Sequence, residues 1–188
     1  SVATIMIGSI GANALAAHQI ALNLASITYM IASGISSAAM ISLGYYYGKN
    51  DIVELRKSGH SNFYLALILM TISGLIFILF RNLLPQLYVS DLAVIEIASI
   101  LLIIAGLFQI PDGIQAVGLG ILRGIRDTKI PTLFTFISYW IFAIPLSYFL
   151  GIILNLGAVG IWIGLFIGLT LSAIFLVVRF NYLTMIKN

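Results

Sequence analysis

The sequence has 188 residues, of which 61% are hydrophobic and only 8% are charged, and its net charge at pH 7 is +3. Soluble domains carry roughly a quarter of their residues as Asp, Glu, Lys or Arg, so this composition excludes an ordinary soluble domain and predicts a polytopic membrane protein. The sequence contains no cysteine, which excludes disulfides, zinc–thiolate clusters and thiol catalysis. Its basic residues lie in short loops between apolar runs, where membrane topology explains them, and we expect no nucleic-acid partner.

Five apolar runs long enough to cross a bilayer follow a shorter one at the start of the chain. Residues 1–12 have no initiator methionine and no basic segment, so they do not read as a signal peptide. We expect them to be the end of a membrane helix whose beginning is missing. A crossing helix needs about 20 residues, and the first and third complete runs exceed that length, which predicts tilt, a kink or projection beyond the bilayer. The complete spans are predicted near residues 14–44, 61–80, 92–122, 132–154 and 159–180.

Basic residues alternate between the loops. Loops with several of them alternate with loops that have one or none, as the positive-inside rule requires of five crossings with a cytoplasmic C-terminus. We therefore expect a multi-pass protein of the cell membrane. The sparse loops contain only Arg81 in one case and no Lys or Arg in the other. The basic segments contain Lys49, Arg56, Lys57, Arg123, Arg126 and Lys129, and the tail adds Arg179 and Lys187.

Two spacings predict local packing contacts. Arg123 and Asp127 stand four residues apart near the end of the third span, which predicts a local ion pair at a helix end. In the fifth span, Gly160, Gly164 and Gly168 form a ridge of small residues that allows a neighbouring helix to approach closely. We expect this ridge to pack inside the bundle, and a dimer face is the alternative.

Asp112 is the one acidic or basic residue near the centre of a predicted span. An aspartate at that depth costs about 2.5–3.5 kcal/mol on insertion scales, so such residues face a cavity or the bundle interior and mark candidate functional sites. The alternative is a protonated or hydrogen-bonded carboxyl group that locks two helices together. At about 100° per residue, Phe108, Gln109, Gln115 and Leu119 share its helix face. The two glutamines are therefore candidate cavity residues.

Pro111 directly precedes this aspartate. It lacks the N–H that would pair with the carbonyl of Leu107, so we expect a kinked helix with a freed carbonyl group. Irregular backbone at membrane depth is tolerated where it lines a cavity. A carboxylate beside a free carbonyl suits Na⁺, or a proton carried on the carboxylate. The pattern predicts a coupling site for one of these two ions at Asp112, with no other metal and no organic cofactor.

A second polar stripe follows the first complete span. Gln19 and Asn23 are its larger members and are candidate cavity residues, whereas hydrogen bonding between helices explains the serines at least as well. His18 points about a quarter turn away from the stripe. We expect it to be a packed, hydrogen-bonded residue rather than a proton relay. The remaining members of the stripe are Ser26, Met30, Ser33 and Ser37.

The fourth span combines two aromatic residues with a proline. Tyr139 and Trp140 are candidate cavity residues because aromatic rings stack on flat cations, although interfacial or core positions explain them equally well. Pro145 predicts a kink in this helix. The sequence has no His-Glu-x-x-His, no Gly-x-Gly-Asp with a second membrane aspartate and no Gly-x-Ser-Gly with a plausible base, so no enzyme is predicted.

Four stretches together resemble the multidrug and toxic compound extrusion (MATE) transporters. They occur in order and are spread over residues 11–169: "GANALAAHQIALNLASITYM", "FQIPDGIQAVGLGILRGIRDTKIP", "YWIFAIPLSYFLG" and "GAVGIWIGLFIGL". The resemblance implies an all-α helical bundle, with residues 1–188 forming the C-terminal six-helix lobe of a two-lobe transporter without most of its first helix.

The resemblance also implies an activity. Members of this family are antiporters that expel cationic or amphipathic drugs in exchange for Na⁺ or H⁺, and their two lobes alternate between outward-open and inward-open states. Asp112 matches the aspartate of the C-lobe cation site in the Na⁺-coupled branch. That site also uses an acidic residue of the first helix of the lobe, and "SVATIMIGSI" contains no carboxylate. The implied partners are the bilayer, small organic substrates and an N-terminal lobe.

Two other functions remain open at this stage. A flippase for lipid-linked saccharides would share the two-lobe fold, but it would line its cavity with several basic residues, which this sequence does not place there. A non-transporting membrane scaffold or subunit would use Asp112 as a structural lock.

Overall fold

The computed structural model describes residues 2–185, and this part of the chain is built from helices joined by short turns and by one longer segment, residues 80–91, which contains the short 3-10 helix Pro85–Leu87. Lys187, which the sequence assigns to the basic tail, lies outside the described range. A short helix, α1, is followed by five long helical segments. Their bounds are Val2–Gly8 (α1), Ala12–Gly48 (α2), Ile52–Leu79 (α3), Leu92–Gly124 (α4), Lys129–Ile153 (α5) and Gly157–Met185 (α6).

The five segments α2 to α6 are each long and apolar enough to cross a membrane. The prediction of an all-α polytopic membrane protein is confirmed. The helices extend further than the apolar runs because helix formation does not stop where hydropathy falls. Helix α3 begins at Ile52, nine residues before the predicted span, since the side chain of Asp51 caps it by accepting a hydrogen bond from the Glu54 N–H at 3.0 Å.

Helix α4 is the centre of the bundle and packs against α2, α3 and α6. Small residues allow this close approach. A Cβ atom on Gly74 of α3 would lie 2.3 Å from the backbone oxygen of Gly106 in α4, and a Cβ on Gly120 would lie 2.3 Å from the backbone oxygen of Ser36 in α2. Two buried clusters of apolar side chains, one toward each end of the bundle, surround α4. The middle of this helix, with Asp112, is therefore held from three sides.

The glycine ridge of α6 packs against α5. Cβ atoms on Gly160, Gly164 and Gly168 would come within 2.4–2.6 Å of atoms of Leu150, Ser147 and Ala143. The prediction of packing within the bundle is confirmed. The ridge is occupied by the chain's own α5, which leaves it no room for a second copy.

Helix α5 is irregular around Pro145. The turn Ser138–Ala143 before the proline is widened, and the Ile144 N–H donates to the carbonyl of Tyr139, five residues back. A second widened turn, Phe149–Ile153, ends the helix. Because Pro145 cannot donate to a carbonyl in the preceding turn, the local change to five-residue hydrogen bonding lets the span continue through the proline.

The predicted ion pair between Arg123 and Asp127 is wrong. Helix α4 ends at Gly124, and Arg126 adopts a positive φ of 64°, which turns the chain away from the helix axis. Asp127 therefore does not lie one turn beyond Arg123. Its Oδ2 instead accepts a hydrogen bond from Nε of Arg179, 2.8 Å away near the end of α6. The ion pair joins two helices rather than stabilising one.

Candidate functional site

The candidate site is centred on Asp112, which lies half-buried in the middle of α4, directly after Pro111. Within residues 2–185, its carboxylate takes part in no hydrogen bond and no ion pair. A carboxyl group that locks two helices together needs a hydrogen-bonding or ion-pairing partner on the second helix, and the described bundle supplies neither.

A hydrogen-bond network of four side chains, called here the Gln115 network, lies beside Asp112. Buried Gln115 of α4 donates from Nε2 to Oγ of Ser172 in α6 at 3.0 Å, and its Oε1 accepts from the Tyr139 hydroxyl of α5 at 3.4 Å. Thr135 lies 3.3 Å from Ser172, oxygen to oxygen. Tyr139 is also close enough to Asp112 to interact with it electrostatically. The network therefore ties three helices together next to the unpaired carboxylate.

On the other side of Asp112, one turn earlier in α4, an aromatic contact leads to a buried histidine. The ring of Phe108 lies 5.8 Å from the ring of Trp162 in α6, centroid to centroid. The Trp162 indole N–H donates to Nδ1 of His18 in α2 at 3.1 Å, and Nε2 of His18 lies 3.2 Å from Oγ1 of Thr4 in α1. We call these four residues the His18 cluster. His18 is packed and hydrogen-bonded, as the sequence predicted.

Gln109 differs from Gln115 in its surroundings. Only 1% of Gln109 is exposed, and neither its Nε2 nor its Oε1 has a hydrogen-bond partner within the described chain. Buried amide groups are almost always hydrogen-bonded in native proteins. Gln109 is therefore a buried amide two residues before Pro111, and the described bundle leaves its hydrogen-bonding capacity unused.

The polar stripe of α2 lies on the surface of the bundle. Gln19 and Asn23 are exposed, and Asn23 accepts a hydrogen bond from the Tyr88 hydroxyl at 2.8 Å. Ser26 and Ser37 donate to carbonyl groups one turn back in the same helix. The expected hydrogen bonds between helices are thus not formed by these two serines, and the stripe faces away from the bundle.

The two aromatic candidate residues of α5 have different surroundings. Tyr139 belongs to the Gln115 network, whereas Trp140 is 54% exposed and stacks against Phe136, with ring centroids 5.8 Å apart. Tyr139 points toward α4 and Trp140 toward the surface, so the described bundle does not bring the two rings together. Their roles as cavity residues stay predictions.

Several residues of the site were not found from the sequence. Ser172, Thr135 and Trp162 lie on other spans than Asp112. Their signal is weak because Ser, Thr and aromatic residues occur throughout membrane helices. Only the pairing of the helices brings them together.

The donor groups around Asp112 fit a small hard cation or a proton. They comprise the carboxylate itself and the hydroxyl of Tyr139. The carbonyl of Leu107 lies in the preceding turn of α4, where Pro111 supplies no N–H to it. Residues 2–185 contain no cluster of three His, Cys, Asp or Glu side chains. The donor set therefore fits one monovalent cation better than a divalent-metal cage.

These features define a polytopic helical-bundle protein with a polar site midway along an apolar, proline-containing helix, an arrangement found among secondary transporters. The chain matches the MatE family over residues 1–149. The chain belongs to the MatE family.

Known proteins agree with this assignment. The chain is 42% identical over 183 residues to the "Multidrug resistance protein NorM" of Burkholderia vietnamiensis, which covers 95% of this chain and 40% of that relative. The chain thus spans about two fifths of the length of this curated relative. Two solved structures, described as the outward-facing and the inward-facing conformation of a multidrug resistance MATE family transporter of the MOP superfamily, have the same fold. They match with a TM-score of 0.87 each, at 19% and 18% identity, over 99% and 98% of this chain and 43% and 42% of theirs.

Proposed function

We propose that this chain is the C-terminal lobe of a secondary antiporter that exports cationic or amphipathic organic compounds in exchange for Na⁺ or H⁺. Membership of the MatE family and the names of the relatives support export as the activity. The observation that carries the coupling role is the half-buried carboxylate of Asp112, which has no protein partner within residues 2–185. An unpaired carboxylate at membrane depth is unfavourable unless a cation or a proton neutralises it.

The proposed mechanism uses the groups beside Asp112. When the carboxylate binds the ion, its charge is cancelled, and the groups that face it lose an electrostatic partner. Tyr139 lies near Asp112 and is hydrogen-bonded to Gln115, which is hydrogen-bonded to Ser172. Through this network, neutralisation of Asp112 would act on α4, α5 and α6 together. A ligand shifts a conformational equilibrium only by its difference in affinity for the two states, and the ion supplies that difference at Asp112.

The other half of the transporter would face the exposed polar stripe of α2. Gln19, Asn23 and the half-exposed Tyr29 lie on the surface of the bundle, where a second lobe could enclose a cavity with them. This stripe contains no Lys or Arg, so it offers no charge to a phosphate-bearing substrate, and the flippase alternative is not favoured. We further propose that the protein lies in the cell membrane with a cytoplasmic C-terminus.

The proposal is tested by drug efflux from inside-out or right-side-out vesicles that contain the full-length transporter. We expect Asp112→Asn to abolish the part of the efflux that an imposed Na⁺ or proton gradient drives, because the amide cannot take up either ion as a neutralising charge. Glu96→Gln is the matched control, since Glu96 is an exposed acidic residue of the same helix near its start. Gradient-driven efflux by Asp112→Asn at the wild-type rate and normal abundance would remove Asp112 from the mechanism.

A further inference from the structure

The hydrogen bonds of His18 determine which of its ring nitrogens carries the proton. An indole N–H can only donate, so Nδ1 of His18, 3.1 Å from Nε1 of Trp162, must be an unprotonated acceptor. The single proton of the neutral ring then lies on Nε2, which points to Oγ1 of Thr4 at 3.2 Å. Both nitrogens are thereby used, and a doubly protonated ring would have no acceptor left for the indole.

The bond between His18 and Trp162 is protected from water. His18 is 1% and Trp162 is 2% exposed, and their rings meet edge to face with centroids 5.8 Å apart. A hydrogen bond at a dry site is costly to break because the group left behind stays unsatisfied. The contact joins α2 to α6, and Thr4 extends it to α1.

The Trp162 ring also reaches the face of α4 that carries the coupling aspartate. Its centroid lies 5.8 Å from that of Phe108, and Phe108 and Asp112 are four residues apart on one helix, so they are neighbours on its surface. Trp162 thus contacts a residue that lies one turn before Asp112 on the same helix face. His18 itself makes no contact with Asp112 that the described bundle shows.

We propose that His18 is a positioning residue for transport: its neutral ring holds the indole of Trp162, and the indole fixes Phe108 against the side of Asp112. The consequence for transport rests on the proposed antiport function. The bond itself does not, so the two can be tested separately.

Two substitutions in the full-length transporter each remove one of the two hydrogen-bonding contacts of the His18 ring and keep the other. The side-chain oxygen of Asn lies close to the position of Nδ1, so His18→Asn keeps an acceptor for Trp162 and loses the contact with Thr4. The amide of Gln extends to the position of Nε2, so His18→Gln keeps the contact with Thr4 and loses the acceptor. We expect His18→Gln to reduce the rate of gradient-driven efflux about fivefold or more, because it leaves a buried donor unsatisfied, and His18→Asn to keep most of the wild-type rate.

The indole N–H resonance of Trp162, assigned by its loss in Trp162→Phe, reports the bond without any transport. We expect slow hydrogen exchange and a wild-type chemical shift in His18→Asn, and a shift toward that of a free indole with faster exchange in His18→Gln. His60→Gln is the matched control at the second histidine of the chain, which packs against Phe180 at the end of the bundle far from Asp112 in sequence. It should change neither measurement.

Trp162→Phe provides a second route to the same result, because it keeps an aromatic ring against Phe108 but removes the donor. If it lowers efflux as His18→Gln does, and the double variant is no worse than either single variant, both act through one bond. A wild-type indole signal in His18→Gln, or an altered signal with unchanged efflux, would overturn the proposal. Wild-type vesicles without gradient-driven efflux would instead contradict the proposed function and leave the bond measurable.

Discussion

At the scale of single residues, two glutamines six positions apart in α4 show what a helical wheel can and cannot predict. The wheel placed both Gln109 and Gln115 beside Asp112. It could not show that Gln115 finds partners on α5 and α6 while Gln109 finds none within the described bundle, because these partners lie far away in the sequence. Residue types predicted the polarity of the site, and the packing of the helices determined which amide is satisfied.

This difference predicts opposite effects of the same substitution. Gln109→Met replaces an unpaired buried amide with an apolar side chain of similar size, and we expect a higher melting temperature of the purified transporter, since an unsatisfied buried polar group costs about 1–3 kcal/mol. Gln115→Met removes two hydrogen bonds and leaves Ser172 and Tyr139 without them, so the melting temperature should fall. An equal loss of stability in both variants would show that Gln109 is hydrogen-bonded in the protein.

At the scale of helices, hydropathy located the five spans but not their neighbours. The hydrogen bond between His18 and Trp162 joins residues 144 positions apart, and that between Gln115 and Ser172 joins residues 57 apart. No local pattern contains this information. The glycine ridge of α6 was the exception, because a row of small residues predicts close packing whichever helix fills it.

The helix ends were the least predictable feature. Charged and polar residues lower the hydropathy at the start of α3, although the cap at Asp51 begins the helix there. Arg123 and Asp127 have the spacing of a helical ion pair, but the helix ends between them. A spacing rule holds only while the backbone stays helical, and the sequence pattern did not reveal where α4 stops.

Close contact between α3 and α4 predicts a large effect for the smallest substitution. In Gly74→Ala the added Cβ would lie 2.3 Å from the backbone oxygen of Gly106, and backbone atoms cannot move aside as a side chain can. We expect a loss of about 1–3 kcal/mol from overpacking, measured as a lower melting temperature and lower abundance. Gly34→Ala is the control, because nothing lies within 4 Å of its Cβ position and alanine favours helix. Equal stability of the two variants would contradict the packing of α3 on α4.

At the scale of the whole molecule, the described bundle is densely packed around α4 but exposes polar residues along α2. The packing of α4 against α2, α3 and α6 is dense, whereas the polar stripe of α2 faces outward. Exposed polar residues at membrane depth are unfavourable against lipid. This exposed stripe is where we propose that a second lobe packs, and the chain spans about two fifths of the length of its relative.

The proposed orientation can be tested with single cysteines, because this chain contains none. Ser90→Cys lies in the turn between α3 and α4, and Thr128→Cys lies between α4 and α5; both positions are exposed. In intact cells carrying the full-length transporter on a cysteine-free background, a membrane-impermeant maleimide should label Ser90→Cys and spare Thr128→Cys until the cells are opened. The reverse pattern of labelling would place the C-terminus outside.

The central claim, that Asp112 carries the coupling ion, is tested most directly by substrate-driven ion movement in proteoliposomes of the full-length transporter. An imposed substrate gradient should drive the counterflow of Na⁺, followed as radioactive sodium, or of protons, followed by a pH-sensitive dye, in the wild type and in Glu96→Gln. We predict that Asp112→Asn, at equal reconstituted amounts and with measurable substrate binding, moves neither ion. Substrate-driven ion movement by Asp112→Asn at the wild-type rate would contradict the account.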